Sequence, residues 1–197
     1  MMRPLLEQVV VITGASSGTG RRAAIAFGEA GAAVVLAARN EEALLEAASE
    51  VQRAGGRALV VVTDVADWRQ VPALAQAAID QFGRIDTWVN NAAVSEYAMV
   101  EETSIDEINR QIQVDLLSQI HGVKAALPHM RRQQEGTIIN VTSVEADRVA
   151  PLHAVYSAAK HGVKGFTAAL RVELDHQSSG VNVTLILSSS TNTPFFE

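Results

Sequence analysis

Tyr156 and Lys160 stand four residues apart in Tyr156-Ser157-Ala158-Ala159-Lys160. On a helix this spacing puts both side chains on one face. A free tyrosine, with a pKa of about 10, is a poor proton shuttle near neutral pH. An ammonium beside it favours the phenolate and lowers that pKa toward the working range, as general acid–base catalysis requires. Ser143 closely follows an apolar strand and can hydrogen-bond the same substrate oxygen, stabilising charge that develops there. The bland alternative is a half-buried tyrosine beside a solvated lysine, since Y-x-x-x-K alone is common by chance.

A second stretch gives that constellation something to work on. Thr13-Gly14-Ala15-Ser16-Ser17-Gly18-Thr19-Gly20 follows the β-branched run Val9–Ile12 and precedes Ala23, Ala24, Phe27 and Ala30 at helical spacing, with Gly31 as a stop. Strand, glycine turn and helix in that order open a dinucleotide-binding βαβ unit. A tight turn, and a backbone lying against a pyrophosphate, both need residues without a Cβ. The free N–H groups at the helix start, with the helix dipole, then favour phosphate. The spacing is G-x-x-x-G-x-G rather than G-x-G-x-x-G, so a glycine-rich turn without a ligand stays open as an alternative.

The elements that must position these residues alternate along the chain. Strands are expected at Val9–Ile12, Ala33–Ala37, Ala58–Val62, Ile85–Val89, Gly136–Val141 and Val181–Leu187. Between them come helical patterns: one carrying Leu44, Leu45, Ala48 and Val51; one from about Asp67, as N-cap, to Phe82; a long one from Ser104 to Met130; and a long one from Leu152 to His176. Ser104 and Glu107 suit a capping box. Six strands with helical crossovers predict a single α/β domain, a Rossmann-like doubly wound parallel sheet in the order 3-2-1-4-5-6. Gly14 to Gly20, Arg39, Asp64, Asn91 and Ser143 then fall at strand C-terminal ends and share one crevice.

Composition narrows the function class. The 197 residues are 48% hydrophobic and 19% charged, with a net charge of −6, so a globular domain is expected and a nucleic-acid surface or polybasic membrane patch is not. No cysteine is present, which excludes disulfides, thiolate metal sites and a cysteine nucleophile. No apolar run approaches the ~18 residues of a membrane span, and Met1-Met2-Arg3 leads into no signal peptide, so a cytoplasmic location is expected. The five histidines form no ligand cluster and read as surface or helix-face residues. Ser143, Asp147 and His153 lack the G-x-S-x-G elbow of a hydrolase.

Thr13-Gly14-x-x-x-Gly18-x-Gly20, Asn90-Asn91-Ala92, Ser143 and Tyr156-x-x-x-Lys160, in this order and spacing, resemble the short-chain dehydrogenase/reductase family over nearly the whole chain. The resemblance implies hydride transfer between a nicotinamide and a small-molecule carbonyl or alcohol. It makes Tyr156 the acid/base, Ser143 the orienter of the substrate oxygen, and Lys160 the ligand of the nicotinamide ribose and tuner of Tyr156. It places Gly14, Ser16, Ser17, Gly18, Thr19 and Gly20 under the phosphates, Asp64 and Val65 beside the adenine, and Asn91, Ala92 and Ala93 on the ribose side. Thr193 would meet the nicotinamide carboxamide. The family also pairs through its long helices, so a homodimer or homotetramer is expected.

Cofactor choice has its own physical signal. A carboxylate after the second strand would repel a 2′-phosphate, but this chain has Ala38 and then Arg39, whose guanidinium can clamp one. NADP(H) is therefore expected over NAD(H), with Ser17 adding a hydroxyl; the alternative is Arg39 as an ordinary solvated charge.

Four departures from the family pattern stand out. Ala93 replaces a glycine, and Thr19 an apolar residue whose loss is expected to loosen packing under the cofactor. Asp115 replaces an asparagine whose backbone carbonyl holds a water of the proton relay, and it brings a carboxylate that competes for Lys160. Ser188-Ser189-Ser190 replaces a Pro-Gly pair, and the sequence stops at Glu197, before the usual substrate-covering lid and last strand. A C-terminally truncated chain, with the sixth strand as an exposed edge, is the expectation. These departures keep a second function in view, a dinucleotide-binding sensor or interaction protein without turnover.

Overall fold

The computed structural model describes residues 3–189, so Thr193 lies outside the described residues. The apolar runs form β1 (Val9–Thr13), β2 (Ala33–Ala38), β3 (Arg57–Val62), β4 (Thr87–Asn90), β5 (Gly136–Ser143) and β6 (Val181–Ser188). Every pairing is parallel, and the order is β3-β2-β1-β4-β5-β6, as the alternation of patterns predicts.

Parallel neighbours need crossovers, and the crossovers cover both faces. On one face Val10, Ile12, Val34 and Leu36 pack with Ala24 of α1 (Gly18–Glu29) and with Leu44, Ala47 and Val51 of α2 (Glu41–Arg53). On the other, Val9, Val11, Ala33, Val35 and Ala37 meet α3 (Val71–Phe82), α5 (Ser118–Gln133) and α6 (Ala154–His176) through Leu74, Ala78, Ala126, Met130, Leu170 and Leu174. Consecutive strand residues thus reach opposite buried faces, which is why β1 and β2 read as unbroken apolar runs.

Polar ties fix the helices that carry the site. Asn90 Nδ2 donates to the Gln119 carbonyl at 3.1 Å and to Asn140 Oδ1 at 2.8 Å, and Asn140 Nδ2 donates to Thr167 Oγ1 at 2.9 Å. These buried bonds join β4, β5, α5 and α6, and leaving any member unpaired would cost its desolvation. At the opposite end of the sheet, buried Asp86 accepts from the Val9 amide at 2.8 Å and from the Arg84 guanidinium.

Two elements differ from expectation. Asp67 does not cap α3: its Oδ1 accepts from the Arg69 amide in a separate turn, and the helix starts at Val71 with Pro72 in its first turn. A start at Asp67 would bury Pro72 deep enough to break a backbone hydrogen bond and clash with the preceding turn. The long helix before β5 is also not uniform. It comprises α4 (Ile105–Ile112), opened by the expected Ser104–Glu107 capping box, then a π-helical segment at Gln113–Leu117, then α5. Among the described residues, no helix is long and apolar enough to cross a membrane.

Candidate active site

The carboxyl ends of the strands open into a cleft of about 560 Å³. Its wall contains Gly14, Ser16, Ser17, Gly18, Thr19, Arg39, Asp64, Val65, Asn91, Ala92, Ala93, Ser143, Tyr156 and Lys160, so nearly every expected site residue shares it. Gly20 is buried beneath the turn instead, and Asp115 is fully buried behind Lys160.

The glycine turn is built for close approach. Gly14 takes a φ of +67°, and a Cβ there would lie 2.8 Å from the Ala92 Cα. A Cβ on Gly20 would sit 2.2 Å from the Gly14 carbonyl oxygen. Asn91 holds the turn to β4, its Nδ2 donating to the Thr13 and Gly14 carbonyls at 3.1 and 3.2 Å. Ser17 precedes α1 without capping it through its side chain, so the first amides of that helix remain available at the cleft. Thr19 is exposed on the cleft wall rather than packed under it, so it loosens no packing there.

Arg39 is exposed at the end of β2 and makes no hydrogen bond or ion pair among the described residues. Asp64, at the end of β3, accepts from the Ala66 amide and from both arms of the Arg110 guanidinium at 2.9 and 3.2 Å. Burial pushes its carboxyl up, but the Arg110 fork and the Ala66 amide together hold it below the ordinary carboxylate range. Arg110 lies 46 residues from Asp64 in sequence, and no local motif announces it.

At the other end of the cleft, Ser143 closes β5 and its Oγ accepts from the Glu145 amide at 3.1 Å. Its side chain also hydrogen-bonds Tyr156. Thr142 Oγ1 donates to the Lys160 carbonyl at 3.0 Å, tying the Tyr156–Lys160 turn of α6 to the end of β5. Lys160 Nζ lies 5.0 Å from the centre of the Tyr156 ring and 3.8 Å from Asp115 Oδ1.

The electrostatics differ from those the spacing alone suggests. Tyr156 is pushed up to about 12, first by burial, which outweighs its hydrogen bond to Ser143, and then by the Asp115 and Glu145 charges. The phenol therefore holds its proton. Burial lowers the Lys160 pKa, and Asp115 opposes that. Asp115 is itself pushed up to about 6 by burial, against the pull of Lys160 and a 2.9 Å hydrogen bond from the Val94 amide to Oδ1. Its Oδ2 is buried without a hydrogen bond. The ammonium is thus shared with a carboxylate before it can act on the phenol.

His153 corrects the expectation for the histidines: it is 3% exposed and lines the cleft. Its Nδ1 is 2.9 Å from Glu145 Oε1 and its Nε2 is 3.2 Å from Ser95 Oγ. Ser157 Oγ donates to the other Glu145 oxygen at 3.0 Å. The rings of Tyr97 and Tyr156 flank His153 at 3.8 and 5.2 Å between centres. Three separate segments contribute, so no sequence motif marks the cluster. Among the described residues no group of three or more His, Cys, Asp or Glu side chains is placed to hold a metal.

Comparison with known proteins gives the setting of this site. An uncharacterized oxidoreductase of Bacillus subtilis, YxnA, is 40% identical over the full chain, and the chain spans 55% of that relative's length. A metagenomic short-chain oxidoreductase solved with NADP superposes with a TM-score of 0.88 at 32% identity, over 94% of this chain and 83% of that one. A short chain dehydrogenase/reductase from Burkholderia phymatum solved with NAD superposes with a TM-score of 0.94 at 33% identity, over 98% of this chain and 69% of that one. The family model for short chain dehydrogenases matches residues 8–197, and the chain belongs to that family of NAD(P)-binding oxidoreductases.

Proposed function

We propose that this chain is an NADP(H)-dependent oxidoreductase that interconverts a carbonyl and an alcohol, with Tyr156 as the proton donor and acceptor. The observation that carries this reading is one cleft with a Cβ-free phosphate turn at one end and the Ser143–Tyr156–Lys160 cluster at the other. The residues fit a dinucleotide. Gly14, Gly18 and the open start of α1 would receive the pyrophosphate, Asp64 and Val65 the adenine, and Lys160 with Asn91, Ala92 and Ala93 the ribose and nicotinamide side. Arg39 and Ser17 would bind a 2′-phosphate: Arg39 is exposed on the cleft wall, where its charge acts on Asp64 but forms no close ion pair among the described residues. The bound nicotinamide supplies the hydride equivalent.

The chain's own groups then handle the oxygen. Ser143 Oγ accepts from the Glu145 amide and its side chain hydrogen-bonds Tyr156, so the two hydroxyls converge on one point of the cleft, where a substrate oxygen would take over that bond. Tyr156, holding its proton at neutral pH, is in the state that carbonyl reduction requires: it donates to the substrate oxygen as charge develops. Lys160 stands behind the phenol, and Asp115 behind Lys160, as the groups from which the proton is restored. The same reading takes residues 1–197 as one cytoplasmic domain that pairs with copies of itself through its long helices, where Ala158, Gly165, Ala169 and Val172 form an exposed stripe of small and apolar residues on α6.

The test is a titration with NADPH and NADH, repeated with Arg39→Ala, and turnover on a panel of carbonyls with Tyr156→Phe as control. Losing the charge-assisted contact should weaken NADPH binding about 10–100-fold and leave NADH little changed. Tyr156→Phe should slow reduction about 10²–10⁴-fold. Equal affinity for both cofactors would remove the NADP assignment. Tight NADPH binding with no Tyr156-dependent turnover would replace the enzyme by a dinucleotide sensor.

A further inference from the structure

We infer that Ser95, His153 and Glu145 form a hydroxyl-recognising subsite, so that the preferred substrate is a hydroxylated carbonyl compound or the matching diol. This rests on the oxidoreductase reading above. Glu145 is fixed on both oxygens, by His153 Nδ1 at 2.9 Å and by the Ser157 hydroxyl at 3.0 Å. A carboxylate accepts only, so Nδ1 carries a proton. In the neutral ring His153 Nε2 is then an acceptor, and the Ser95 hydroxyl, 3.2 Å away, donates to it. The hydroxyl proton is thereby committed, and Ser95, which lines the cleft, keeps its Oγ lone pairs to accept with. What Ser95 offers a ligand is acceptance of a hydrogen bond, and the complementary group is an O–H.

Its place in the cleft sets which O–H. His153 packs against Tyr156 at 5.2 Å between ring centres, and Ser143 Oγ accepts from the amide of Glu145 itself. The subsite therefore adjoins the group that would hold the reacting oxygen, and it reads a hydroxyl near the reacting carbon. A purely structural histidine would be satisfied by Glu145 and another buried group. Here its second nitrogen spends itself on a half-buried serine of the cleft wall.

The experiment compares 2-hydroxycyclohexanone with 2-methylcyclohexanone, which exchanges a hydroxyl for a methyl of similar size, using NADPH and the wild-type, Ser95→Ala, His153→Phe and Tyr156→Phe chains. The wild type is expected to favour the hydroxyketone about tenfold or more in kcat/KM. That ratio should fall to near one in Ser95→Ala and in His153→Phe. Equal turnover of the two ketones by the wild type, or a preference that survives in Ser95→Ala, overturns the subsite and leaves the oxidoreductase reading standing. No Tyr156-dependent turnover of either ketone overturns both.

Discussion

Replacing Asp115 with asparagine keeps the side chain's shape and removes its charge, and the consequence should be read as stability against pH. Asp115 is fully buried, and its carboxyl is pushed up to about 6 from an ordinary 3.8. Between those values the folded chain holds a proton that the unfolded chain has released. Stability therefore falls as pH rises through that window, and the loss is complete above the folded value. The whole interval is worth about 3 kcal/mol, of which roughly half falls between pH 5 and pH 8. Lys160 is coupled to this carboxyl: burial lowers the lysine's pKa and Asp115 opposes that. Relative to the wild type, Asp115→Asn should thus gain about 1–2 kcal/mol from pH 5 to pH 8, or about 2–8 °C in Tm for a chain of this size. Thermal scans and urea melts at both pH values measure it. Parallel wild-type and variant curves would refute the reasoning, because they would mean that Asp115 stays ionised throughout as the partner of a charged lysine.

Two further substitutions test the scaffold under the site. Gly20→Ala drives a methyl to within 2.2 Å of the Gly14 carbonyl oxygen, so it should cost about 1–3 kcal/mol and weaken NADPH binding at least about tenfold; unchanged binding and Tm would show that the turn does not need this approach. Asp86→Ala removes the carboxylate that joins the Val9 amide to Arg84, leaving the buried amide without its acceptor and Arg84 with Glu135 alone at 3.6 Å, and should lower stability by about 2–4 kcal/mol in urea melts; a loss under about 1 kcal/mol would mean that the pair acts as an exposed one.

What was legible in the sequence, and what was not, follows from the range over which each feature is decided. The sheet order came through because each strand is a local apolar run and a parallel crossover permits few arrangements. The cleft came through for the same reason: Gly14, Arg39, Asp64, Asn91 and Ser143 stand at strand ends, where a doubly wound sheet gathers its ligands. The start of α3 is also decided locally, since Pro72 already forbids a helix from Asp67. The π segment was not readable. Gln113–Leu117 continues an ordinary helical pattern, and it holds an Asp115 whose carboxylate meets the Val94 amide and Lys160, contacts that lie 21 and 45 residues away. The charge balance around Tyr156 is of the same kind. A lysine four residues along the helix predicts a lowered tyrosine pKa, yet burial and Asp115 turn the shift upward, and neither is a property of the Tyr156–Lys160 spacing. His153 sums up the limit physically: Glu145 lies in its own neighbourhood of the chain, but Ser95 arrives from the loop after β4, and only the folded cleft makes the three a unit. On the reading proposed above, the motif specifies where a hydride and a proton can move, while the selectivity and the resting protonation are set by long-range partners, Asp115 through charge and Ser95 through the direction of one hydrogen bond.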